Sequence, residues 1–377
     1  MRKIKPRGDF VSKKESLITC IIYTVIIVAL GLSIFIFPRR GLLVRENRVA
    51  AELPVLSAEA LLDKSFFDGF SKFCEDSFPF RERLLILNSA VELGFGKLEA
   101  GGVMAGKNGN LIKLNACESF EQLKSNAEAI GKICGYAKKQ GADTLFFCVP
   151  STSDVLADYA PLPLAVSGDR EVWQYVSGDL DMKSEFRQRA NAGEYVYYRT
   201  DHHWTTLGAY YAYCKLGGYL GFSPYPISEF DIECVSENFL GSTYSSALFP
   251  FVSPDRIDAF RYDGDSHVSV TDLSTGKLGG LYDFAVLAGN SKYDFFLGGN
   301  RAHMSVESGK PRLILIKDSF ANSLVPFLAR HYDIDIIDPR YLRKPIDNLL
   351  LELYSEGDAP TLLVLFGIDT LTGNIGL

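Results

Sequence analysis

Two of the chain's five histidines stand side by side behind an aspartate, in Thr200-Asp201-His202-His203-Trp204. A carboxylate two residues before an imidazole can accept a hydrogen bond from Nδ1–H. That fixes the tautomer and leaves Nε2 free as a base. Such a base needs a nucleophile, and Ser319 is the candidate. The apolar run Arg312-Leu-Ile-Leu-Ile316 reads as a strand, and Lys317-Asp318-Ser319-Phe320-Ala321-Asn322 leads from it into a helix. A serine there is lifted out at the carboxyl edge of a sheet. Its own N–H sits at a helix N-terminus, where developing negative charge is favoured. This is the position of a nucleophile elbow, although the local sequence is not G-x-S-x-G. Taken alone, the segment reads more plainly as a helix cap made by Asp318 or Ser319. The paired Asp201 and His203 favour the chemical reading.

His202 either packs or hydrogen-bonds beside this pair, or joins Asp201 and His203 around a metal ion. A catalytic metal commonly takes three protein ligands, and adjacent histidines seldom both point at one ion. No metal and no cofactor is therefore expected. His267, His303 and His331 lie in unrelated contexts. Trp204 reads as packing beneath the histidine loop, with a sugar-stacking platform as the alternative.

These groups must be held by regular elements. Residues 194–198 are aromatic and β-branched and read as a strand. Residues 207–220 read as a helix opening on Thr205 or Thr206, both good N-caps. Asp201 and His203 are thus expected on a strand-to-helix turn. Upstream, residues 120–140 read as a helix stopped by Gly141, and 144–149 as a buried strand. A mostly helical excursion is expected up to about residue 190. Downstream, 312–316, 333–337 and 361–366 read as strands separated by helices at 321–331 and near 346–354. That alternation implies an α/β fold whose parallel sheet is flanked by helices on both faces. Residues 222–300 break the rhythm. Short strands at 256–262, 267–271 and 293–297, separated by Gly, Asp, Asn and Ser, imply a β-rich insertion acting as a lid or recognition surface. Earlier, 61–80 and 81–98 read as helical, and Asn108-Gly109 marks a hairpin.

The N-terminus belongs to another environment. Leu17 to Phe37 is 21 residues without a charge, long enough to span a bilayer as a helix. Arg2, Lys3, Lys5, Arg7, Lys13 and Lys14 precede it, against Asp9 and Glu15 alone. The positive-inside rule puts this end in the cytoplasm. A cleaved signal peptide is the rival, but the run is long for one and no small-x-small site follows. The expected organisation is a cytoplasmic tail (1–16), a signal-anchor (17–37), a juxtamembrane helical segment (38–100) and an extracellular domain (101–377). The chain carries a net charge of −7, and removing the basic tail makes the remainder more acidic. No basic run is left to bind nucleic acid. Composition, 47% apolar and 12% aromatic, is that of a globular protein. The cysteines outside the span, Cys74, Cys117, Cys134, Cys148, Cys214 and Cys234, show no CxxC or regular spacing, so no pairing is read.

Thr200-Asp201-His202-His203-Trp204, followed by Leu313-Ile-Leu-Ile-Lys-Asp-Ser-Phe320, resembles the bacterial DHHW protein family. That family is similar to the SGNH-hydrolase-like alginate O-acetylation proteins, with Asp-x-His-Trp and a downstream Gly-Asp-Ser-type turn. The resemblance spans roughly residues 45–377. It includes Glu46-Asn47-Arg48, Asp76-Ser77-Phe78-Pro79-Phe80-Arg81, Phe296-Leu-Gly-Gly-Asn300 and Tyr332-Asp-Ile-Asp-Ile-Ile-Asp-Pro-Arg-Tyr341. It implies an SGNH-like fold with Ser319 as nucleophile, His203 as base and Asp201 as its orienter. The order here is Asp, His, Ser, whereas ordinary SGNH hydrolases run Ser, Asp, His. Lys317 replaces the glycine of the turn. Oxyanion or substrate-binding candidates are Gly299, Asn300 and Gly241, with His202 and Trp204 beside them; Gly367 and Asn374 are further options.

The implied activity is O-acyl transfer to a cell-surface or secreted polysaccharide, or esterase action on one, through an acyl-serine. A membrane-embedded partner delivering acyl groups is also implied. The alternative is a non-catalytic glycan-binding or assembly component, which Lys317 in the turn keeps open. A metal-dependent hydrolase is the third reading.

Overall fold

The computed structural model describes residues 13–43, 48–114, 119–162, 173–176, 178–355 and 359–377. The basic tail up to residue 12, Glu46-Asn47 and Cys117 lie outside them. The chain divides into two compact units, residues 1–88 and 89–377.

The first unit opens with helix α1 (Lys13–Ile36). Over Lys14–Ile36 it is long and apolar enough to cross a membrane. Two short helices follow, Ala58–Leu62 and Ser65–Asp76. On the second of these, Phe73 is buried while Phe67 is exposed. The buried Asp76 carboxylate accepts the Ala51 N–H at 2.8 Å.

The second unit is built on a seven-stranded mixed sheet. Its strands are β1 (Thr144–Val149), β2 (Ser269–Asp272), β3 (Lys277–Gly280), β4 (His303–Glu307), β5 (Arg312–Lys317), β6 (Asp333–Ile337) and β7 (Thr361–Gly367). Across the sheet they run β3-β2-β4-β6-β5-β7-β1. Strands β6, β5, β7 and β1 are parallel, and β4, β2 and β3 add on antiparallel. Strands β1, β5 and β7 are nearly continuous apolar runs because both faces are covered, whereas β6 alternates its isoleucines with Asp333 and Asp335. On one face Leu313, Leu315, Leu363, Leu365 and Phe147 pack with Trp204, Ala209 and Tyr213. On the other, Ile314, Ile316, Val364 and Phe366 pack with Ile130, Ile133, Leu350 and Leu353. Helix α2 (Phe120–Lys139) and helix α4 (Ile346–Tyr354) cover that second face; helix α3 (Thr206–Leu220) covers the first. Each buried leucine or isoleucine is worth about 1.5–3 kcal/mol.

Three expectations change. Residues 194–198 form no strand; Tyr197 makes a single bridge to Trp204. Tyr197 and Tyr198 are both buried, so the alternation of a half-exposed strand is absent. The helix expected over 321–331 is instead a 3-10 turn, Ser319–Ser323, followed by Val325–Leu328. Pro326 sits in the first turn of the second piece and has no N–H to continue the ladder of the first. The third concerns the insertion. Two of its strands, β2 and β3, extend the main sheet through β4. Asp231–Phe239 and Asp255–Arg261 form a separate antiparallel pair. Residues 293–297 are not a strand, since Lys292–Phe295 is a 3-10 turn. The Asn108-Gly109 hairpin forms as read, joining Val103–Ala105 to Leu111–Lys113. Among the described residues, Cys20, Cys74, Cys134, Cys148, Cys214 and Cys234 are free thiols.

Candidate active site

Residues 195–205 form an irregular loop, so side chains must hold what a ladder does not. Tyr198 N–H donates to His203 O (3.2 Å), and Thr205 N–H donates to Val196 O (2.9 Å). The buried Asp255 carboxylate accepts from Arg199 N (3.0 Å), Thr200 N (2.7 Å), Thr200 Oγ1 (2.6 Å) and the Tyr195 hydroxyl. Thr205 then caps α3 through the Gly208 N–H.

Asp201 points into the protein. Its Oδ1 accepts from His203 N (3.0 Å) and His203 Nδ1 (2.5 Å). Its Oδ2 accepts from Ser242 N (2.7 Å) and Ser242 Oγ (3.0 Å). Every strong acceptor position is used, which fixes the carboxylate as charged and unrotated. Burial alone would raise its pKa; the two imidazoles and the hydrogen bonds outweigh burial and hold it below the ordinary range. His203 therefore carries its proton on Nδ1, and Nε2 accepts from Ser319 Oγ at 2.8 Å. The His203 ring is stacked on Tyr293, with centroids 3.9 Å apart and planes 9° from parallel. Phe320 meets it edge-on at 4.9 Å.

Ser319 follows the central strand β5. Asp318 caps the turn, accepting from Phe320 N (3.0 Å), Gly367 N (2.8 Å) and Thr370 Oγ1 (2.6 Å). The capping reading holds for Asp318. Asp318 caps, while Ser319 is half-buried and faces His203. The turn is 3-10 and only five residues long, so the dipole of a long helix does not act at Ser319.

The remaining predicted residues separate. His202 is half-buried beside the site, and its Nδ1 donates to Ser242 Oγ at 2.6 Å. Burial first, then the neighbouring His203, lowers its pKa to about 3. Asp201, His202 and His203 bring possible ligand atoms within 4.8 Å of one another. In this arrangement both Nδ1 atoms are engaged, with Asp201 and Ser242, so a ligand lone pair is left only on Nε2, which in His203 already accepts from Ser319 Oγ. Trp204 is not a sugar platform. It is fully buried, and Nε1 donates to Phe320 O (3.0 Å) and Ser323 Oγ (2.9 Å), tying the histidine loop to the serine turn. Gly241 is not a free donor either. Its N–H donates to Thr200 Oγ1, and a Cβ there would lie 2.2 Å from Asp201 Cβ. Gly299 is a turn residue, with φ at +89° and its N–H on Phe296 O. Gly367 N–H serves Asp318, and Asn374 is exposed.

Asn300 is brought to Lys317 and Asn322, residues on either side of Ser319 in sequence. Its Oδ1 accepts from Lys317 Nζ at 2.7 Å and from Asn322 Nδ2 at 3.1 Å. It also lines a groove of about 1150 Å³ together with Arg301, His303, Tyr341 and Arg343; Ser319 and His203 are not among the residues lining that groove. Lys317 completes β5 with ordinary backbone geometry, since it is absent from the positive-φ residues. Its replacement of glycine therefore does not distort the turn.

Sequence reasoning missed Ser242, Tyr293, Asp255 and Asn322. Only Ser242 carried a local signal, standing beside the candidate Gly241.

Residues 179–337 match the family profile described as DHHW protein. Residues 112–223 match the profile of the SGNH hydrolase-like domain of the acetyltransferase AlgX. By sequence, no curated protein matches the chain. Among solved structures, Bacillus cereus PatB1 is similar at a TM-score of 0.58 and 18% identity, covering 73% of this chain and 98% of that one. A second PatB1 structure, with a sulfonyl adduct, gives 0.56 over the same shares and at the same identity. A DHHW family protein from Eubacterium siraeum gives 0.54 at 19% identity, covering 73% of this chain and 94% of that one. These likenesses establish the SGNH-like α/β fold.

Proposed function

We propose that this chain, with its DHHW-type region, is a membrane-anchored serine O-acyltransferase or esterase acting on a cell-surface or secreted polysaccharide. The observation that carries the reading is the unbroken hydrogen-bonded series Asp201–His203–Ser319 at the carboxyl end of a central strand. The AlgX-type match, to a domain described as an acetyltransferase, supports acyl transfer as the chemistry.

In this mechanism Ser319 Oγ attacks the carbonyl carbon of an acyl ester while His203 Nε2 takes its proton. Asp201 keeps the imidazole in the required tautomer and faces the imidazolium that forms. Asn300 Nδ2 and the Ser319 N–H are the donors we assign to the developing oxyanion. As the C–O bond breaks, His203 returns the proton to the leaving alkoxide, and acyl-Ser319 remains. An acceptor hydroxyl then attacks, gives its proton to His203 and takes the acyl group, and Ser319 recovers the proton. Water in place of that hydroxyl gives hydrolysis. Tyr293, stacked on His203, helps exclude water and so favours transfer.

The same reading takes α1 as the anchor, with the basic end cytoplasmic and residues 38–377 outside. A membrane-embedded partner would then supply acyl groups. The test uses the full chain in detergent with an activated acetyl ester, with and without an oligosaccharide acceptor. Acetyl should move to the acceptor or to water, a chelator should change nothing, and Ser319→Ala should abolish turnover. A folded protein that binds glycan equally well with and without Ser319, and turns over no ester, would mean a binding component instead.

A further inference from the structure

Lys317 is a fully buried lysine that no step of the proposed chemistry uses. It is the last residue of β5, two before Ser319, and its side chain is 0% exposed. Its ammonium donates to Asn300 Oδ1 at 2.7 Å and to Asn322 Oδ1 at 2.6 Å. The Asp338 carboxylate stands 3.7 Å away. Asp338 is already engaged by Arg340 through both oxygens, at 2.9 and 2.7 Å, so it is shared rather than owned by the lysine.

A side-chain amide has an acceptor edge and a donor edge, and only its surroundings decide which faces which way. Asn300 Oδ1 meets two donors, Lys317 Nζ and Asn322 Nδ2. Flipping the amide would set its NH₂ group against an ammonium that has no lone pair to offer. The flip is forbidden as long as Lys317 is charged. The donor edge of Asn300 must then face away from this buried cluster, and Asn300 is half-buried; Asp294, which feels the charges of both His203 and Lys317, places the cluster beside the proposed base. Among the described residues that Nδ2 has no protein acceptor.

We propose that Lys317 is a positioning residue: its ammonium fixes the amide of Asn300 so that Nδ2 is presented as a hydrogen-bond donor to substrate beside Ser319. The inference rests on the proposed acyl-serine reading for what the donor does, but not for how the donor is held. It also explains why a lysine fits where glycine stands in the related turn.

The proposal has a pH signature. The groups facing Lys317 are Asp338 and Arg340 beyond β6, Asp318 on its own strand end, and Asp294 in the insertion. Burial outweighs the attraction of Asp338 and lowers the lysine to about 8. A neutral amine can accept as well as donate, so above that pH the flipped amide is no longer excluded.

Two measurements test this on the full chain in detergent. The first is the rate of Ser319 acetylation by an activated acetyl ester across pH 6–10. Wild type should lose rate on the alkaline side with a midpoint near 8, and Lys317→Met should lack that limb. Lys317→Met should react roughly tenfold slower near neutral pH, the scale of one lost transition-state hydrogen bond. Asn300→Asp keeps an oxygen toward Lys317 but removes the donor, and should be about as slow. The double variant should be no slower than either single one. A wild-type rate in Asn300→Asp, or multiplying losses in the double variant, overturns the proposal.

The second measurement is independent of catalysis. With asparagine-selective ¹⁵N labelling, the Asn300 side-chain amide signals should titrate near pH 8 in wild type and stay flat in folded Lys317→Met. Signals that do not move in wild type overturn the positioning role even if Ser319 is acylated. If they titrate as expected and no acyl-enzyme forms, the acyl-transfer reading fails while the amide orientation stands.

Discussion

The two halves of the site are held by opposite means. Ser319 stands at the end of β5, flanked by β6 and β7, and its position follows from strand register. Asp201 and His203 stand on a loop with one isolated bridge, and their position follows from side chains. A strand end is fixed by many equivalent backbone bonds, so no single side chain decides it. A loop is fixed by a few buried acceptors, so each one matters. Asp255 gathers the backbone of 199–200, Asp201 gathers His203 and Ser242, and Trp204 reaches across to the serine turn. The nucleophile should therefore tolerate changes around it better than the base does.

Deleting the reacting groups is the largest test of that contrast. Ser319→Ala should remove acyl-enzyme completely, and His203→Ala should cost about 10²–10⁴ in acylation rate. Ser319→Ala should keep native thermal unfolding within about 1 kcal/mol, while His203→Ala, which takes a donor from the buried Asp201 carboxylate, should lose about 1–3 kcal/mol, both read by circular dichroism.

Next is Asp201→Asn. The amide cannot serve every donor now facing the carboxylate, and it no longer selects the Nδ1–H tautomer. Acylation should fall by about 10³–10⁴, with stability reduced by about 1–3 kcal/mol. A fall of less than tenfold in the rate assay would remove Asp201 from the mechanism.

Smaller again is Asp255→Asn, which touches no reacting atom. It should cost about 1–3 kcal/mol of stability, seen in a denaturant midpoint, and slow acylation roughly tenfold through the displaced loop. On the strand side, Thr370→Val removes one bond to Asp318 and should cost about 1 kcal/mol with less than a threefold change in rate. Equal rate losses for the two variants would erase the distinction between loop and strand.

The two loop carboxylates also differ in pH dependence. Asp201 is held below its ordinary pKa, so its contribution is present above the carboxylate range and is lost as pH falls through its folded value. Burial, only partly offset by its hydrogen bonds, raises Asp255. Its contribution is full below its unfolded pKa and is lost as pH rises through the folded value. Melting curves between pH 3 and 8 should show the gap between wild type and Asp201→Asn widening with pH. The gap for Asp255→Asn should narrow. Parallel slopes would contradict the assigned directions.

The strands at 144–149, 312–316 and 361–366 were legible because each is an apolar run bounded by turn residues, and 333–337 because its isoleucines follow the α/β rhythm despite Asp333 and Asp335. Asp201, His203 and Ser319 were legible because chemistry restricts residue type and spacing. The stacking of Tyr293 on His203 was not, since it joins positions ninety apart through packing alone. Nor was the role of Lys317. A lysine after an apolar run marks the end of a strand, and nothing local says that Asn300 and Asn322 will wait for its ammonium. The helix expected over 321–331 failed at Pro326, a breaker inside an otherwise apolar segment. That β2 and β3 extend the main sheet through β4 was not legible, because edge pairing is a long-range event.

The most direct measurement is peptide mapping by mass spectrometry after brief exposure of the full chain to an activated acetyl ester. The account predicts one acetyl group, on Ser319, absent from Ser319→Ala and strongly reduced in His203→Ala and Asp201→Asn. Acetyl spread over surface lysines with Ser319 unmodified, in a folded protein, would contradict it.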